Sequence, residues 1–99
     1  MVRIANIEIN ATYLKEESSM SVKLETGVIS IFPMFQKEHP TAFRLLEIYA
    51  SKEAYQSHLK TPHFLHYKKA NLHMVKSLKL VEMSTLDPKC MPLIFSKMK

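Results

Sequence analysis

The sequence is poor in several features that would mark particular classes of protein. It contains one cysteine, Cys90, so no disulfide can form within the chain, and a single thiol fits a reducing compartment. No apolar run approaches the ~20 residues of a membrane helix, and the first residues lack the apolar segment and cleavage site of a secretion signal. We therefore expect a cytoplasmic protein with no membrane partner.

Positive charge is present in the sequence but is not concentrated. The chain has 14 Lys and Arg against 9 Asp and Glu, for a formal net charge of +5. A basic surface can serve nucleic acid or an anionic small molecule, and nucleic-acid sites are marked by clusters of basic residues. Because the basic residues here are scattered, we expect no nucleic-acid partner.

Length and composition predict one small folded domain. The chain has 99 residues, of which 46% are hydrophobic and 23% charged, and these are ordinary values for a globular protein with one core. We expect this domain at residues 1–84. Residues 85–99 are expected to form a C-terminal extension with two prolines and a short strand at 93–95.

Hydrophobic periodicity and capping residues predict the order of secondary structure. Alternating apolar and β-branched residues indicate strands, and a capping residue ahead of a helical pattern indicates a helix. The predicted elements are strands at 2–10, 28–36, 41–50 and 78–84, and helices at 51–60 and 62–77. Residues 12–25 combine helix-favouring Glu16 and Glu17 with an alternation at 20–24, so their pattern alone leaves helix and strand open.

Proline, glycine and capping residues give finer expectations. Ser51 and the pair Thr61-Pro62 are expected to begin the two helices. Pro33 cannot donate to a sheet ladder, so its strand should lie at an edge or contain a bulge. Gly27, the only glycine, is expected to adopt the left-handed conformation that ends a helix.

The segment 47–67 gathers titratable and aromatic residues at a predicted strand-to-helix junction. It reads Glu-x-Tyr from position 47 and, from position 54, Ala-Tyr-x-x-His-Leu-x-Thr-Pro-His-Phe-x-x-Tyr. This pattern resembles the antibiotic biosynthesis monooxygenase family of small dimeric proteins, and the resemblance extends over most of the chain. The resemblance implies that residues 12–25 form a helix, about two turns shorter than is usual in the family.

With that helix, the element order becomes β-α-β-β-α-β. This order is typical of an α+β ferredoxin-like domain, with an antiparallel sheet and both helices on one face. The resemblance further implies a homodimer that forms a dimeric α/β barrel, in which the C-terminal extension contacts the partner subunit.

The two faces of the predicted sheet point to the same homodimer. Strand 28–36 places Val28, Phe32 and Met34 on one parity and Ile29, Ile31 and Phe35 on the other. A sheet with one wet face would alternate apolar and polar residues, and an apolar patch of this size is not expected to stay exposed on a monomer. Pairing two sheets face to face in a symmetric dimer would cover the second face.

His58 and His63 flank the break between the two predicted helices and match the family pattern. A histidine near its unperturbed pKa of ~6.5 can move a proton to or from a phenolic substrate. The alternative is that both are junction residues, with His63 bonded to the backbone near the helix cap.

The other histidines are expected to be solvated. His66 and His73 share a helical stripe with Lys69 and Lys76, and no acidic residue occurs between 53 and 82 to complete a metal site. We therefore expect no metal.

Glu47 lies on an apolar strand, so its carboxylate must find a partner if it is buried. It is either a catalytic base or a structural anchor, and Arg44, on the opposite parity, is not expected to pair with it. Tyr49 and Tyr55 either contact substrate or pack with their hydroxyls at polar edges.

The resemblance to the family can be followed residue by residue. Quinone-forming members place Asn, Trp, Tyr and Arg around the substrate. The matching positions in this chain hold Leu45, Tyr49, Tyr55 and Lys68, in that order. Only the tyrosine at position 55 is therefore kept. Heme-degrading members place Asn, Trp and a heme-ligating His where this chain has Ile7, His58 and Lys68. The chain is therefore not expected to degrade heme, and no cofactor is expected.

We hypothesise a cofactor-independent monooxygenase acting on a small aromatic or quinol-like molecule in an apolar pocket. A base, His58 or Glu47, would deprotonate a phenol, and the electron-rich carbanion would pass an electron to O2. The catalytic residues are predicted to be His58, Glu47 and Tyr55. The substrate-binding residues are predicted to be Tyr49, His63, Tyr67, Leu45, Phe32 and Lys68, with Met34 as a further apolar wall.

Two alternatives stay open from the sequence. The first is an isomerase-like or binding protein for a small phosphorylated metabolite, which suits the basic balance although the chain lacks a Gly-rich phosphate cradle. The second is a dimeric ligand-binding module without turnover.

Overall fold

The structure is a computed structural model that describes residues 1–8, 11–71 and 77–97. The four strands are β1 (Val2–Glu8), β2 (Val28–Gln36), β3 (His39–Tyr49) and β4 (Ser77–Met83). The four helices are α1 (Ala11–Leu24), α2 (Lys52–His58), α3 (Pro62–Ala70) and α4 (Cys90–Lys97). Within the described ranges, no helix combines the length and the apolar character needed to span a bilayer.

The strands form one antiparallel sheet in the order β2-β3-β1-β4. This confirms the predicted α+β ferredoxin-like fold. Strands β1 and β3 lie in the middle of the sheet, α1 lies between β1 and β2 in the chain, and α2 and α3 lie between β3 and β4. Pro33 lies on the edge strand β2, as its missing N–H requires.

A bulge near the start of β2 changes which residues share a face. The register against β3 shifts between Val28 and Ser30, so that the buried Val28 and Ile31 lie on the same side of the sheet. Phe32 and Met34 point to the other side and are exposed. The expectation that Val28, Phe32 and Met34 share a face is therefore wrong, because the extra residue reverses the alternation.

One face of the sheet is covered by helices and holds the core. Helix α1 packs on β2 and α3, and α2 packs on β2 and β3. The buried apolar residues of this core are Ala5, Ile7, Leu14, Val28, Ile31, Phe43, Leu45 and Tyr49.

Among the described residues, α1, α2 and α3 pack on that side of the sheet, and we call the opposite face the helix-free face. By strand register and alternation, its apolar residues are Val2, Ile4, Phe32, Met34, Leu46, Ile48, Val81 and Met83. Phe32, Met34 and Met83 are 57%, 42% and 47% exposed. A continuous apolar surface therefore crosses all four strands.

The two helices after β3 begin where their capping residues predict. The Ser51 side chain accepts a hydrogen bond from the backbone N of Ala54 at 3.0 Å, and the Thr61 hydroxyl accepts one from Phe64 at 3.3 Å. Helix α3 ends at Ala70, earlier than predicted, with Asn71 as its C-cap. His73 and Lys76, predicted to continue the basic stripe of α3, lie outside the described residues.

The C-terminal extension contains a helix, α4, so the strand predicted at 93–95 is wrong. Asp87 lies in the turn before the helix: its carboxylate accepts from the backbone N of Lys89 at 3.0 Å, and its carbonyl accepts from the backbone N of Cys90 at 3.2 Å. A short apolar run cannot distinguish a strand from a helix by periodicity. Leu86, Leu93 and Ile94 of this extension are largely exposed.

Gly27 does not adopt the left-handed conformation expected of it, because its φ is not positive. The structure gives a different reason for glycine at this position. A Cβ on Gly27 would lie 2.6 Å from the Cβ of Ala54 in α2. Gly27 therefore permits close approach of α2 to the start of β2.

We predict that Gly27→Ala lowers the free energy of unfolding by about 1–3 kcal/mol, the usual cost of overpacking. Adding Ala54→Gly should recover part of this loss by removing the clashing methyl group, although glycine in a helix itself costs up to about 1 kcal/mol. Urea denaturation of the wild type, both single variants and the double variant measures the coupling. Strictly additive effects would contradict the close-approach explanation.

Candidate functional site

A cavity of about 340 Å³ lies on the helix-covered side of the sheet, a size within the range of small-molecule sites. Its apolar walls are Ala5, Ile7, Ile31, Leu45, Leu59, Phe64, Leu78 and Leu80. Its polar walls are Arg3, Glu17, Glu47, Tyr55, His58, Tyr67, Lys68 and Asn71. The cavity is therefore mainly apolar, with polar groups from the central strands and from α1, α2 and α3.

A hydrogen-bonded group centred on Arg3 forms part of this wall. The guanidinium contacts Glu47 Oε1 at 3.0 Å and donates from its other terminal nitrogen to the Tyr55 hydroxyl at 2.7 Å. It also lies 4.5 Å from the centre of the Tyr55 ring. Tyr49 donates to the same Glu47 oxygen at 2.6 Å. Glu47 Oε1 thus accepts two hydrogen bonds.

Electrostatics keep Arg3 charged and Tyr49 protonated. Burial lowers the pKa of Arg3, but the adjacent Glu47 carboxylate outweighs this effect and the net shift is upward. Burial raises the pKa of Tyr49, and the negative charge of Glu47 raises it further. Both groups therefore stay hydrogen-bond donors to Glu47 at neutral pH.

His58 lies between two carboxylates. Its Nε2 is 3.1 Å from Glu17 Oε1, and its Nδ1 is 2.8 Å from Glu25 Oε2. Glu25 Oε2 also accepts from His63 Nε2 at 2.6 Å. Within α1, the Ser21 hydroxyl donates to the backbone carbonyl of Glu17 at 2.7 Å and lies 3.1 Å from its carboxylate. These contacts connect α1 and the residue after it to the end of α2 and the start of α3.

The geometry makes His58 a cation rather than a base. Carboxylates only accept hydrogen bonds, so an imidazole facing one at each nitrogen must donate at both and has no free lone pair. Burial lowers the pKa of His58, but the hydrogen bonds to Glu17 and Glu25 outweigh burial and the net shift is upward. Of the two bases proposed from the sequence, Glu47 fits the geometry better.

We predict that this pair of contacts makes stability pH-dependent. A raised pKa in the folded state adds stability that is complete below the unfolded value of about 6.5 and is lost as the pH rises through the folded value. The free energy of unfolding should therefore fall with rising pH above about 6.5, at up to ~1.4 kcal/mol per unit. In the variant His58→Gln, the free energy of unfolding should not show this decrease with rising pH.

Urea denaturation of both proteins at several pH values from 6.5 upward measures the difference. Parallel pH profiles would contradict the assignment of a cationic His58.

Glu25, His58 and His63 also bring three metal-ligand atoms within 4.8 Å of one another. The separations of 2.8 and 2.6 Å from the shared Glu25 oxygen are hydrogen-bond distances. Ligand atoms around a tetrahedral zinc would lie about 3.3 Å apart, given Zn–N and Zn–O bonds of about 2.0–2.1 Å. The observed geometry therefore fits a hydrogen-bonded cluster better than a coordination sphere.

The structure brings most of the predicted site residues to the cavity. Leu45, Glu47, Tyr55, His58, Tyr67 and Lys68 line it. Tyr49 lies behind Glu47, and His63 bonds Glu25 rather than the backbone. Burial raises the pKa of Tyr67, and the charges of Glu17 and Glu47 add to the shift, so its hydroxyl stays protonated.

Phe32 and Met34 do not line the cavity, so their predicted place in its wall is wrong. Both lie on the helix-free face, because the bulge in β2 turns them away from the helices. Ile31, not Phe32, is the β2 residue that reaches the cavity wall.

Sequence reasoning missed four polar residues: Arg3, Glu17, Glu25 and Asn71. Arg3 pairs with Glu47 because β1 and β3 place them opposite each other in the antiparallel register. Glu17 could have been found, since it shares a helical face with the buried Leu14 and Ser21. The acidic partners of His58 and His63 are thus Glu17, in α1, and Glu25, directly after it. They do not come from α2 or α3, the helices that carry the histidines.

The comparisons with known proteins agree with this fold. The family model described as antibiotic biosynthesis monooxygenase matches residues 9–70. None of the curated proteins matches the chain.

Solved structures with the same fold come from several organisms. A proposed antibiotic biosynthesis monooxygenase from Bacteroides thetaiotaomicron VPI-5482 is 42% identical, over 89% of this chain and 90% of that one, with a TM-score of 0.86. A proposed monooxygenase from Lactobacillus acidophilus NCFM is 28% identical, over 80% of this chain and 41% of that one, with a TM-score of 0.73. A proposed antibiotic biosynthesis monooxygenase from Nitrosomonas europaea is 19% identical, over 87% of this chain and 98% of that one, with a TM-score of 0.75. At this identity the comparison shows the shared fold alone.

Proposed function

Since this chain belongs to the antibiotic biosynthesis monooxygenase family, we propose that it uses O2 to oxygenate a small aromatic quinol in its cavity. One observation carries the proposal. A mainly apolar cavity wall contains the Glu47 carboxylate beside a tyrosine hydroxyl, that of Tyr55, which accepts a hydrogen bond from Arg3.

The lining favours an aromatic substrate over a phosphorylated one. Of the Lys and Arg side chains in the described wall, Arg3 is already paired with Glu47 and Lys68 is exposed. A phosphate inside would lose its hydration and gain little free positive charge in return. An aromatic ring instead gains burial against Leu45, Phe64 and the other apolar walls.

Glu47 is the proposed base. Its Oε1 accepts from Arg3 and Tyr49, and neither of these two bonds uses Oε2. In the proposed reaction Glu47 takes the proton from a phenolic hydroxyl. The Tyr55 hydroxyl accepts from Arg3 and donates its own proton in a hydrogen bond to a substrate oxygen, which stabilises the negative charge that develops there.

The phenolate supplies the electrons for oxygen reduction. A quinol and O2 give a hydroxyquinone and water: a ring C–H becomes C–OH, the two quinol oxygens become carbonyls, and the second oxygen atom leaves as water. The two oxidations provide the four electrons that O2 accepts, so this scheme needs no separate reductant. The apolar walls would exclude bulk water from the intermediates.

The helix-free face supports the homodimer in this proposal. A second copy on that face would cover its exposed residues, among them Phe32, Met34 and Met83. We propose that the extension 85–99 contacts the partner, because Leu93 and Ile94 of α4 are exposed on their own subunit. A cytoplasmic location is part of the proposal, since the single exposed thiol of Cys90 fits a reducing compartment.

Oxygen consumption with a panel of benzene and naphthalene quinols, without added flavin or metal ion, tests the activity. We expect uptake that saturates with quinol concentration and exceeds the rate in buffer. Uptake no faster than with heat-denatured protein across the panel would remove the proposal. Quinols that raise the melting temperature without oxygen uptake would identify a binding module without turnover.

A further inference from the structure

Two carboxylates in the cavity wall each keep one free oxygen. Glu17 uses Oε1 for its contact with His58. Glu47 uses Oε1 for its bonds with Arg3 and Tyr49. Neither Oε2 has a hydrogen-bond partner among the described residues, and neither is one of the buried side-chain atoms that lack a partner. Each Oε2 therefore keeps accessible surface.

The two free oxygens belong to the same cavity. Glu17 and Glu47 are only 4% and 5% exposed, and both line the cavity, so the surface that they keep faces it. Burial raises the pKa of Tyr67, and the charges of Glu17 and Glu47 raise it further. Both carboxylates therefore lie within electrostatic reach of one hydroxyl in the cavity wall.

Each carboxylate is paired with a different cation. Arg3 pairs with Glu47, and His58 pairs with Glu17, so that each buried negative charge has its own compensating positive charge. Glu25 contacts the other nitrogen of His58 at 2.8 Å but is not among the described residues of the cavity wall. His58 thus holds Glu17 at the cavity from one side and Glu25 outside it from the other.

The proposed reaction has to remove two protons from the quinol. Both quinol oxygens become carbonyls, so both hydroxyl protons leave, and both end in the water that forms from the second atom of O2. Glu47 takes one of these protons in the proposed function. The other hydroxyl needs a proton acceptor of its own while the substrate is enclosed.

We propose that Glu17 is a second catalytic residue, whose Oε2 accepts a hydrogen bond and then the proton from the second quinol hydroxyl. The preferred substrate is therefore an aromatic diol with both hydroxyls free, and alkylation of one hydroxyl weakens binding. This inference rests on the proposed function, and it adds a residue of α1 to the reaction.

The test compares two ligands that differ in one hydrogen-bond donor, 1,4-naphthalenediol and 4-methoxy-1-naphthol. Their affinities are measured by calorimetry under nitrogen, so that binding is read without turnover. Glu17→Gln is the test variant, and Glu25→Gln is its matched control, because both change a carboxylate partner of His58 and only Glu17 lines the cavity. Each protein is compared with itself across the two ligands, so a change in stability cancels from the ratio.

We expect the wild type to bind the diol at least about tenfold more tightly, the usual value of one hydrogen bond to a charged acceptor. In Glu17→Gln the acceptor becomes neutral, so this preference should fall by about fivefold or more. In Glu25→Gln it should change by less than about twofold, since no cavity oxygen is altered. Oxygen uptake at saturating diol should fall by about 10²-fold or more in Glu17→Gln, and by less than about tenfold in Glu25→Gln.

Three results would overturn the inference: equal affinities for the two ligands in the wild type, a wild-type ratio in a folded Glu17→Gln protein, or equal losses in the two variants. Equal losses would mean that Glu17 only supports His58. Should Glu17→Gln fail to fold, Glu17→Asp decides: it keeps the charge but withdraws the carboxylate by one methylene group, so an unchanged ratio there would also overturn the inference.

Failure of the oxygenase proposal has a different result, since the wild type would then take up no oxygen while Glu17→Gln alone still lost the preference for the diol. Oxygen uptake by the wild type, with an equal rate in Glu17→Gln, would remove only the role of Glu17.

Discussion

Replacing Phe32 with glutamate is expected to convert the proposed dimer into a monomer. Phe32 is 57% exposed on the single subunit, so the same change would be nearly neutral for an isolated chain. In the proposed dimer the carboxylate would be buried without a partner in each subunit. At about 3 kcal/mol per buried charge, the dissociation constant should rise by roughly four orders of magnitude.

Light scattering measures the outcome against a matched variant. Leu65 is 51% exposed on α3, away from the helix-free face, so Leu65→Glu should leave the dimer intact. The wild type and Leu65→Glu should have twice the chain mass of 11.5 kDa, and Phe32→Glu should have the mass of one chain. A dimeric Phe32→Glu protein, or a monomeric wild type at micromolar concentration, would contradict the proposed interface.

Removing the charge of Glu47 is expected to abolish most oxygen uptake. In Glu47→Gln the amide oxygen can still accept from Arg3 and Tyr49, so the shape of the site should persist while its basicity is lost. Loss of a general base typically lowers the rate by about 10²- to 10⁴-fold. Oxygen consumption at saturating quinol measures this fall in kcat, with circular dichroism to verify folding.

Tyr49→Phe is the matched control for this experiment. It removes one hydrogen bond to Glu47 Oε1 and leaves the pair with Arg3, so the rate should change less than about tenfold. A folded Glu47→Gln protein with the wild-type rate would exclude Glu47 as the base. A loss in Tyr49→Phe as large as that in Glu47→Gln would point to geometry rather than proton transfer.

Local chemistry made much of the fold predictable. Hydroxyl caps at Ser51 and Thr61 and a proline at the first position of α3 determine helix starts through bonds within a few residues, and the structure contains those bonds. Strand alternation likewise reflects local geometry. These features depend on neighbours in sequence, so the sequence alone identifies them.

The errors concern interactions between distant segments. A single bulge reversed the face of Phe32, and nothing within β2 marks where β3 will slip in register. The sequence predicts a left-handed backbone at Gly27, whereas the structure shows that the methyl of Ala54, in a different element, leaves no room for a side chain there. Residues 93–95, predicted as a short strand, lie inside α4, which extends beyond this apolar run on both sides.

The same distinction between local and distant interactions applies to the candidate site. Glu47, Tyr55 and His58 could be singled out because they stand in one continuous segment that resembles a known family. Their partners could not: Arg3 comes from β1 through strand pairing, and Glu17 comes from α1 through helix packing. Those partners change the chemistry, since they turn His58 from a candidate base into a paired cation.

Labelled oxygen provides the most direct measurement of the central claim, that this cavity places one atom of O2 into a quinol. The protein is supplied with a quinol under ¹⁸O₂ without added flavin or metal ion, and the product is analysed at once by mass spectrometry. We predict a hydroxyquinone carrying one ¹⁸O atom, with the second atom in water. Unlabelled quinone as the only product, or no product above the protein-free rate, would contradict the account.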